Sequence, residues 1–249
     1  MISHAGMDLD ACRGLEFELY VKEQIQGVDQ AAVIADLAAG MEGYDPETYF
    51  QHFSLLDYDH LQIARDAVGR CCALLGTTES ACCGEPFLFL LTGFVANREQ
   101  GKGLMRRMIA RTMVALSTTG FHPSLLAART YNPVWYRMLE GLGGLMRGAV
   151  LYPRPAPADQ DPDLTQLAAE LAMRTNPGMP FDTQLGILRG GLAKTPTLFR
   201  GRRPRSGSDP VDELFHSKLG EIDLVVTLLD LRHVPMATRQ AALSSLLPA

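Results

Sequence analysis

From Pro86 to Met113 the chain reads PFLFLLTGFVANREQGKGLMRRMIARTM, and few folds accept that order of residues. Phe87 to Val95 is apolar on both faces apart from Thr92, the pattern of a central strand covered on two sides. Gly93 interrupts it, as a strand glycine does at a bulge or a close backbone approach. After a short polar loop, Leu104, Met105, Met108, Ile109, Met113 and Leu116 fall on one helical face. Lys102, Arg106, Arg107 and Arg111 fall largely on the other. A glycine-bearing loop that feeds a helix N-terminus leaves backbone N–H groups aimed outward, which is the layout of an anion site. The segment is therefore expected to cradle a pyrophosphate.

Two familiar phosphate loops do not fit. A P-loop needs Gly, four residues, then Gly-Lys-Ser/Thr; here Ala96 stands at the first position and Gly103 at the magnesium-binding hydroxyl. The dinucleotide fingerprint G-x-G-x-x-G would need glycine where Arg106 stands. The run from Val95 to Met105 instead resembles motif A of the GNAT N-acetyltransferase superfamily, a strand followed by Q/R-x-x-G-x-G/A opening a helix. Gln100-x-x-Gly103-x-Met105 keeps the strand-to-loop spacing, with Met105 where Gly or Ala is usual; Arg98-x-x-Gly101-x-Gly103 fits the letters with a shorter lead-in. Asn132 and Gly143 likewise resemble the superfamily's motif B, with two departures. Leu139 stands where a tyrosine acid is frequent, and Gly144 replaces an aromatic residue.

What the resemblance implies is an α/β (α+β) fold with a mixed, mostly antiparallel central sheet flanked by helices and acyl transfer from acetyl-CoA, or another acyl-CoA, to a primary amine of a small molecule or peptide. It places the cosubstrate on Phe94, Val95, Gln100, Gly101, Lys102, Gly103, Leu104, Met105 and Asn132. Backbone groups near Phe94 and Val95 would be left free for the pantetheine amides and as an oxyanion donor. Glu85, at the start of the strand, is the nearest carboxylate base and is remote. With Leu139 unable to protonate a thiolate, Tyr136 is the expected acid, with Tyr131 a weaker candidate and packing under the sheet the ordinary alternative for Tyr136. Two further readings stand beside acyl transfer from acyl-CoA. One is a GNAT-fold protein that binds CoA without turnover. The other is an acyltransferase fed by a carrier protein, since Phe17 to Glu23 faintly resembles the N-terminal segment of such acyl synthases.

The remaining chain is read as follows. Residues 12–26 are expected to be a helix; Asp29 caps a second over Gln30–Ala39, and Asp45 with Pro46 starts a short third. Leu61–Arg65 and Arg70–Thr77 read as strands, with Glu79–Glu85 a turn. Ser124–Arg129 is a strand, Asn132–Pro133 opens a helix running to Gly143-Gly144, and residues 145–152 are another strand. Leu164–Arg174 and Asp212–Leu219 read as helices, and Ile222–Leu231 as the last strand, pairing with residues 147–152. That gives one domain over 1–249, with a core at 12–153 and 221–231, an insertion at 154–220 covering one mouth of the acceptor cleft, and a tail at 232–249. The basic run Arg200–Ser208 reads as a solvated loop.

Of the 249 residues, 47% are hydrophobic and 20% charged, with a net charge of −5, so no general nucleic-acid binder is expected. No apolar run approaches the roughly 20 residues of a membrane helix and the N-terminus lacks a signal layout, so the expected compartment is the cytoplasm and no membrane partner. A homodimer is compatible with the pattern. Cys12 and the vicinal pairs Cys71-Cys72 and Cys82-Cys83 lack C-x-x-C spacing and read as small buried residues; no metal is expected. His52 and His60 read as surface or core residues.

Overall fold

A computed structural model describes residues 14–155, 160–193, 199 and 201–247; Cys12, the first residues of the expected 12–26 helix and Arg200 lie outside them. The described residues form one open sheet of nine strands in the order β1-β2-β3-β4-β5-β9-β8-β7, with β6 also on β9. The strands are β1 (Glu16–Val21), β2 (His60–Arg65), β3 (Cys71–Cys82), β4 (Glu85–Val95), β5 (Leu125–Thr130), β6 (Val150–Tyr152), β7 (Phe181–Asp182), β8 (Ile187–Leu188) and β9 (Leu224–Asp230). The larger helices are α2 (Gln30–Gly40), α4 (Leu104–Thr118), α5 (Pro133–Gly144), α6 (Pro162–Thr175) and α8 (Met236–Ser245). The short α1 (Lys22–Ile25), α3 (Pro46–Phe50) and α7 (Asp209–Glu213) complete them, α7 continuing into a π-turn over Leu214–Lys218.

The middle of the sheet decides the shape of the molecule. β4 is antiparallel to β3 and parallel to β5, but its pairs with β5 run only from Phe87↔Leu125 to Leu90↔Ala128. Beyond Leu90 the two strands part. At the same place β4 bulges: Thr77 faces Leu90 while Gly76 faces Thr92, leaving Leu91 as the extra residue. An extra residue swaps the faces of a period-two strand. Before the bulge, Leu88 and Leu90 pack with Met108 and Ile109 of α4, and Phe87 and Phe89 pack with Leu164, Leu167 and Leu171 of α6. After it, Phe94 points to Val33, Leu37 and Phe50 of α2 and α3, while Val95 turns to the α4 layer.

Helix placement follows local sequence. The Asp29 carboxylate accepts from the Ala32 N–H, Asp45 from Thr48 and Asn132 from Val134, each satisfying an orphan donor of the first turn. α4 lacks such a side chain and starts instead from Gly103, in the left-handed region at φ 76°.

Several sequence expectations need correction. Residues 16–21 form a strand, not part of a helix: Glu16, Glu18 and Tyr20 alternate with Phe17, Leu19 and Val21, and Glu18 pairs with Arg65 of β2 at 2.8 Å. β3 runs on to Cys82, so the turn shrinks to Cys83 and Gly84, both at positive φ as a tight hairpin requires. The 145–152 strand shrinks to Val150–Tyr152 because Gly148, at φ 97°, ends a turn there. The C-terminal tail carries α8, whose Ala242 and Leu243 share a core with α4. Arg107, placed on the solvated face of α4, is 2% exposed. β9 pairs with β6 as expected, and on its other edge with β5 along all six residues from Leu125 to Thr130. Within the 154–220 segment, β7 and β8 extend the sheet beyond β9. Among the described residues, no helix is long and apolar enough to cross a membrane.

Candidate active site

The parting of β4 and β5 opens a cleft of about 1260 Å³ that runs through the sheet. One end lies at the start of α4 and along α5, the other among α3, β5, the end of α6 and Gly191, Leu192, Phe199, Pro204 and Ser206. Of the residues read from sequence as cosubstrate-binding, Phe94, Val95, Gln100, Gly101, Gly103, Leu104, Met105 and Asn132 line this cleft and Lys102 does not; Tyr136, read as the acid, does not line it either.

At the α4 end the chemistry is mostly backbone. Gly101 and Gly103 both hold left-handed φ, 77° and 76°, which L side chains rarely adopt. They let the loop turn into the first turn of α4, whose Leu104, Met105 and Arg106 line the cleft at the helix's positive pole. Gln100, read as a ligand, is tied to the scaffold: its amide donates to Val95 O at 2.9 Å and Asn97 Oδ1 at 3.2 Å. The carbonyl of Val95 is therefore occupied. Lys102 is likewise spent, on the buried Glu99 at 3.2 Å. The cation that does reach the cleft is Arg106, half-buried beside Gly141 and without an ion pair among the described residues. Burial lowers its pKa from the ordinary arginine value. Arg137, paired with Glu140, lies on the same wall. A helical wheel put Arg106 outside; the close approach of α5 at Gly141 turns that position inward.

Between the ends sits Trp135. A Cβ built on Gly93 would lie 2.2 Å from its ring and 3.1 Å from the Met105 methyl. That contact is why a glycine interrupts β4: of the two readings the sequence left open, a bulge or a close approach, the close approach applies at Gly93 itself.

At the far end the chemistry is side chain. Thr92 Oγ1 lies 2.6 Å from both Tyr49 OH and Tyr58 OH, Tyr58 donating to it. Tyr58 reaches there because its ring crosses Gly76, whose missing Cβ would meet it at 2.6 Å. Burial raises the pKa of both phenols, so they remain protonated at neutral pH and can donate but not accept a proton. Tyr49 stacks on Phe53 with centroids 4.6 Å apart and meets Phe94 edge-on at 5.3 Å. Phe199 touches Tyr44 and Tyr131, each at 5.1 Å, so the 154–220 segment does border the cleft. Arg129, on β5 beyond the parting, completes this wall with Asn176. None of Tyr49, Tyr58, Thr92 or Arg129 was singled out from sequence, since they meet only through the bulge and the sheet order.

Tyr136 is placed elsewhere. It is 1% exposed, its hydroxyl donates to Pro153 O, and its ring packs on Phe215. Burial pushes its pKa upward. It packs beneath α5 and has no access to the cleft. Leu139 is also fully buried. Glu85 sits at the opposite end of β4 from the bulge, accepting from Ser124 Oγ at 2.7 Å. The cysteine reading holds for Cys71, Cys72 and Cys82, which are buried; Cys83 is exposed, with its thiol 2.5 Å from Glu170.

No family model and no curated protein matches this sequence. Among solved structures, the chain is similar to AtaTR bound with acetyl-CoA, at 15% identity over 52% of this chain and 83% of that one, with a TM-score of 0.41. It is similar to an IAA acetyltransferase from Bacillus cereus, at 15% identity over 55% and 78%, with a TM-score of 0.37. A third is arylalkylamine N-acetyltransferase 2 from Aedes aegypti, at 13% identity over 55% and 83%, with a TM-score of 0.39. At such identities and scores the likeness says nothing of substrate or activity. What this chain has in its own right is a mixed α/β architecture: a mostly antiparallel sheet, parted between one parallel central pair and flanked by helices.

Proposed function

We propose that the chain is an acyl-CoA-dependent N-acyltransferase acting on a primary amine. The observation that carries this reading is one cleft with a left-handed glycine loop and Arg106 at one end and hydroxyls at the other, joined by the parted strands. The Gly101–Gly103 loop and the first N–H groups of α4, with Arg106, suit a pyrophosphate. The β4 backbone past Leu90 has no β5 partner, which suits the pantetheine amides and an N–H donor to the thioester oxygen. In the reaction the amine nitrogen attacks the thioester carbon and the C–S bond breaks. The amine gives up one proton, and the leaving thiolate takes one up. Tyr49, hydrogen-bonded to Thr92 and held protonated by burial, is the assigned donor to the thiolate.

The test is release of free thiol from acetyl-CoA against a panel of primary amines. Wild-type protein is expected to turn over at least one amine, and Tyr49→Phe to lower kcat by about a hundredfold with CoA affinity retained. Thiol release at the wild-type rate in the variant would mean that water protonates the thiolate. The reading in which CoA binds without turnover is favoured by buried Leu139 and Tyr136, neither of which can act as acid. CoA affinity by calorimetry together with no acylation of any amine would establish it.

A further inference from the structure

Arg129 is out of place in a strand core, and its surroundings say what it is for. The preceding β5 residues, Leu125 to Ala128, are fully buried and apolar. Arg129 follows them on the face shared with Phe89 and α6, just past the point where β4 departs. Its guanidinium carbon lies 5.6 Å from the Phe89 ring centre, and Nη1 donates to Asn176 Oδ1 at the end of α6. It makes no ion pair with any described residue, and burial lowers its pKa, the mark of a cation removed from water without a counter-charge. A desolvated guanidinium with one neutral partner retains donors for a second, and its fork matches a carboxylate with two parallel bonds.

We infer that the acceptor amine also carries a carboxylate, and that Arg129, held by Asn176 and the Phe89 ring, binds it at the aromatic end of the cleft. The inference rests on the acyltransferase reading of that cleft. The walls nearby are Tyr49, Phe53, Leu192, Tyr131 and Phe199, so the rest of the acceptor is apolar or aromatic. One guanidinium in an apolar wall balances one carboxylate; a phosphate dianion would call for a second cation, and Arg106 and Arg137 belong to the α4 end. Asp57 also lines this end, and its charge, like that of Arg129, acts on the Tyr49 phenol. An ammonium near Asp57 and a carboxylate on Arg129 would make the acceptor a zwitterion of the amino-acid class.

The experiment uses the full chain with acetyl-CoA and matched acceptors: L-phenylalanine and L-leucine, their amides, 2-phenylethylamine and the dipeptide Gly-Phe. The free acids are expected to exceed their amides by roughly ten- to a hundredfold in kcat/KM. Gly-Phe separates a free amino acid from a peptide C-terminus as the source of the carboxylate. Arg129→Gln should erase the preference while CoA affinity stays, and Arg129→Lys, with charge but no fork, should keep part of it. Equal rates for acid and amide, or a preference that survives Arg129→Gln, would overturn the inference. A binding arm keeps the two proposals separate. Calorimetry with 3-phenylpropionate, which has the carboxylate and no amine, should detect binding to wild type and none to Arg129→Gln. That result without any acylation would sink the acyltransferase reading and leave the carboxylate site standing. Equal affinity for both proteins, or no binding to either together with no acid preference, would sink the carboxylate site.

Discussion

The two ends of the cleft are built by different means. The α4 end is built mostly of backbone: two left-handed glycines and the first turn of a helix, with Arg106 and the α5 wall beside them. The far end is assembled from α3, β4, β5, the α6 terminus and, among others, Leu192 and Phe199, and its chemistry lies in side chains. A backbone site tolerates few changes at its glycines and many around them. A side-chain site loses one function at a time.

The largest effect expected from this contrast is at Gly103. Gly103→Glu forces a left-handed side chain, costing ~1–2 kcal/mol, and puts a negative charge at the helix pole. CoA affinity by calorimetry should fall by at least about a hundredfold. An unchanged affinity would remove the α4 end from the cosubstrate site altogether.

Next is the junction between the ends. Gly93→Ala places a methyl against the Trp135 ring, where overpacking costs ~1–3 kcal/mol, and Trp135→Ala in the same chain should restore most of that stability. Trp135 is the only tryptophan, so its fluorescence reports the cleft directly. Emission that stays the same in Gly93→Ala would show that the ring does not rest on β4.

A third prediction touches only the far end. Asp223, buried at the start of β9, accepts from the N–H groups of Gly190 and Gly220 and pairs with Arg189 at 2.7 Å. It thereby anchors the chain beside Gly191 and Leu192 of the cleft wall. Burial alone would raise its pKa, but those donors outweigh burial and hold it below the ordinary carboxylate value. With a folded value below the unfolded one, its contribution is complete above the unfolded pKa of about 3.9 and fades as pH falls through the folded value. Asp223→Asn should lower stability at neutral pH by ~1–3 kcal/mol and flatten the loss in acid, with CoA affinity unchanged. Denaturant midpoints from neutral pH down to the acid range check it; a variant as acid-sensitive as wild type would show that other carboxylates govern the loss.

The smallest effect is at Tyr136, which belongs to neither end. Tyr136→Phe removes its hydrogen bond to Pro153 O and should cost ~1 kcal/mol of stability with turnover nearly unchanged. A large loss of kcat at intact stability would bring the hydroxyl back into the chemistry.

This contrast also explains what could be read from the sequence. The α4 end was legible because strand, glycines and helix are adjacent, and both glycines carry conformations that local pattern encodes. Helix starts at Asp29, Asp45 and Asn132 were legible for the same reason, each being a local hydrogen bond. The far end was not. Thr92 meets Tyr49 and Tyr58 only because Leu91 is an extra residue, and Gly93 signals a bulge or a close approach without saying which residue is extra. Arg129 read as the end of an apolar strand, and its exposure to a cleft depends on where β4 stops pairing. β1 was missed because EFELYV satisfies a helical reading until its pairing with β2 is known, where Arg65 stands opposite Glu16 and reaches diagonally to Glu18. Tyr136 was assigned from a helical wheel, which gives direction about an axis but not which side the cleft takes.

The pairing of β5 with β9 has a consequence in time. β5 gains its parallel neighbour, β4, as soon as the 104–118 helix has closed the crossover, but its other edge stays open until residues 225–230 exist. During synthesis the nascent chain therefore carries a short, apolar, unpaired edge while the whole 154–220 segment is made, and closing so long a loop is slow. That interval is when the chain is most exposed to association with its own copies. The last strand to be made seals the middle of the sheet rather than its rim, so a ribosome-bound product ending before Leu224 should aggregate where one ending after Leu231 should not.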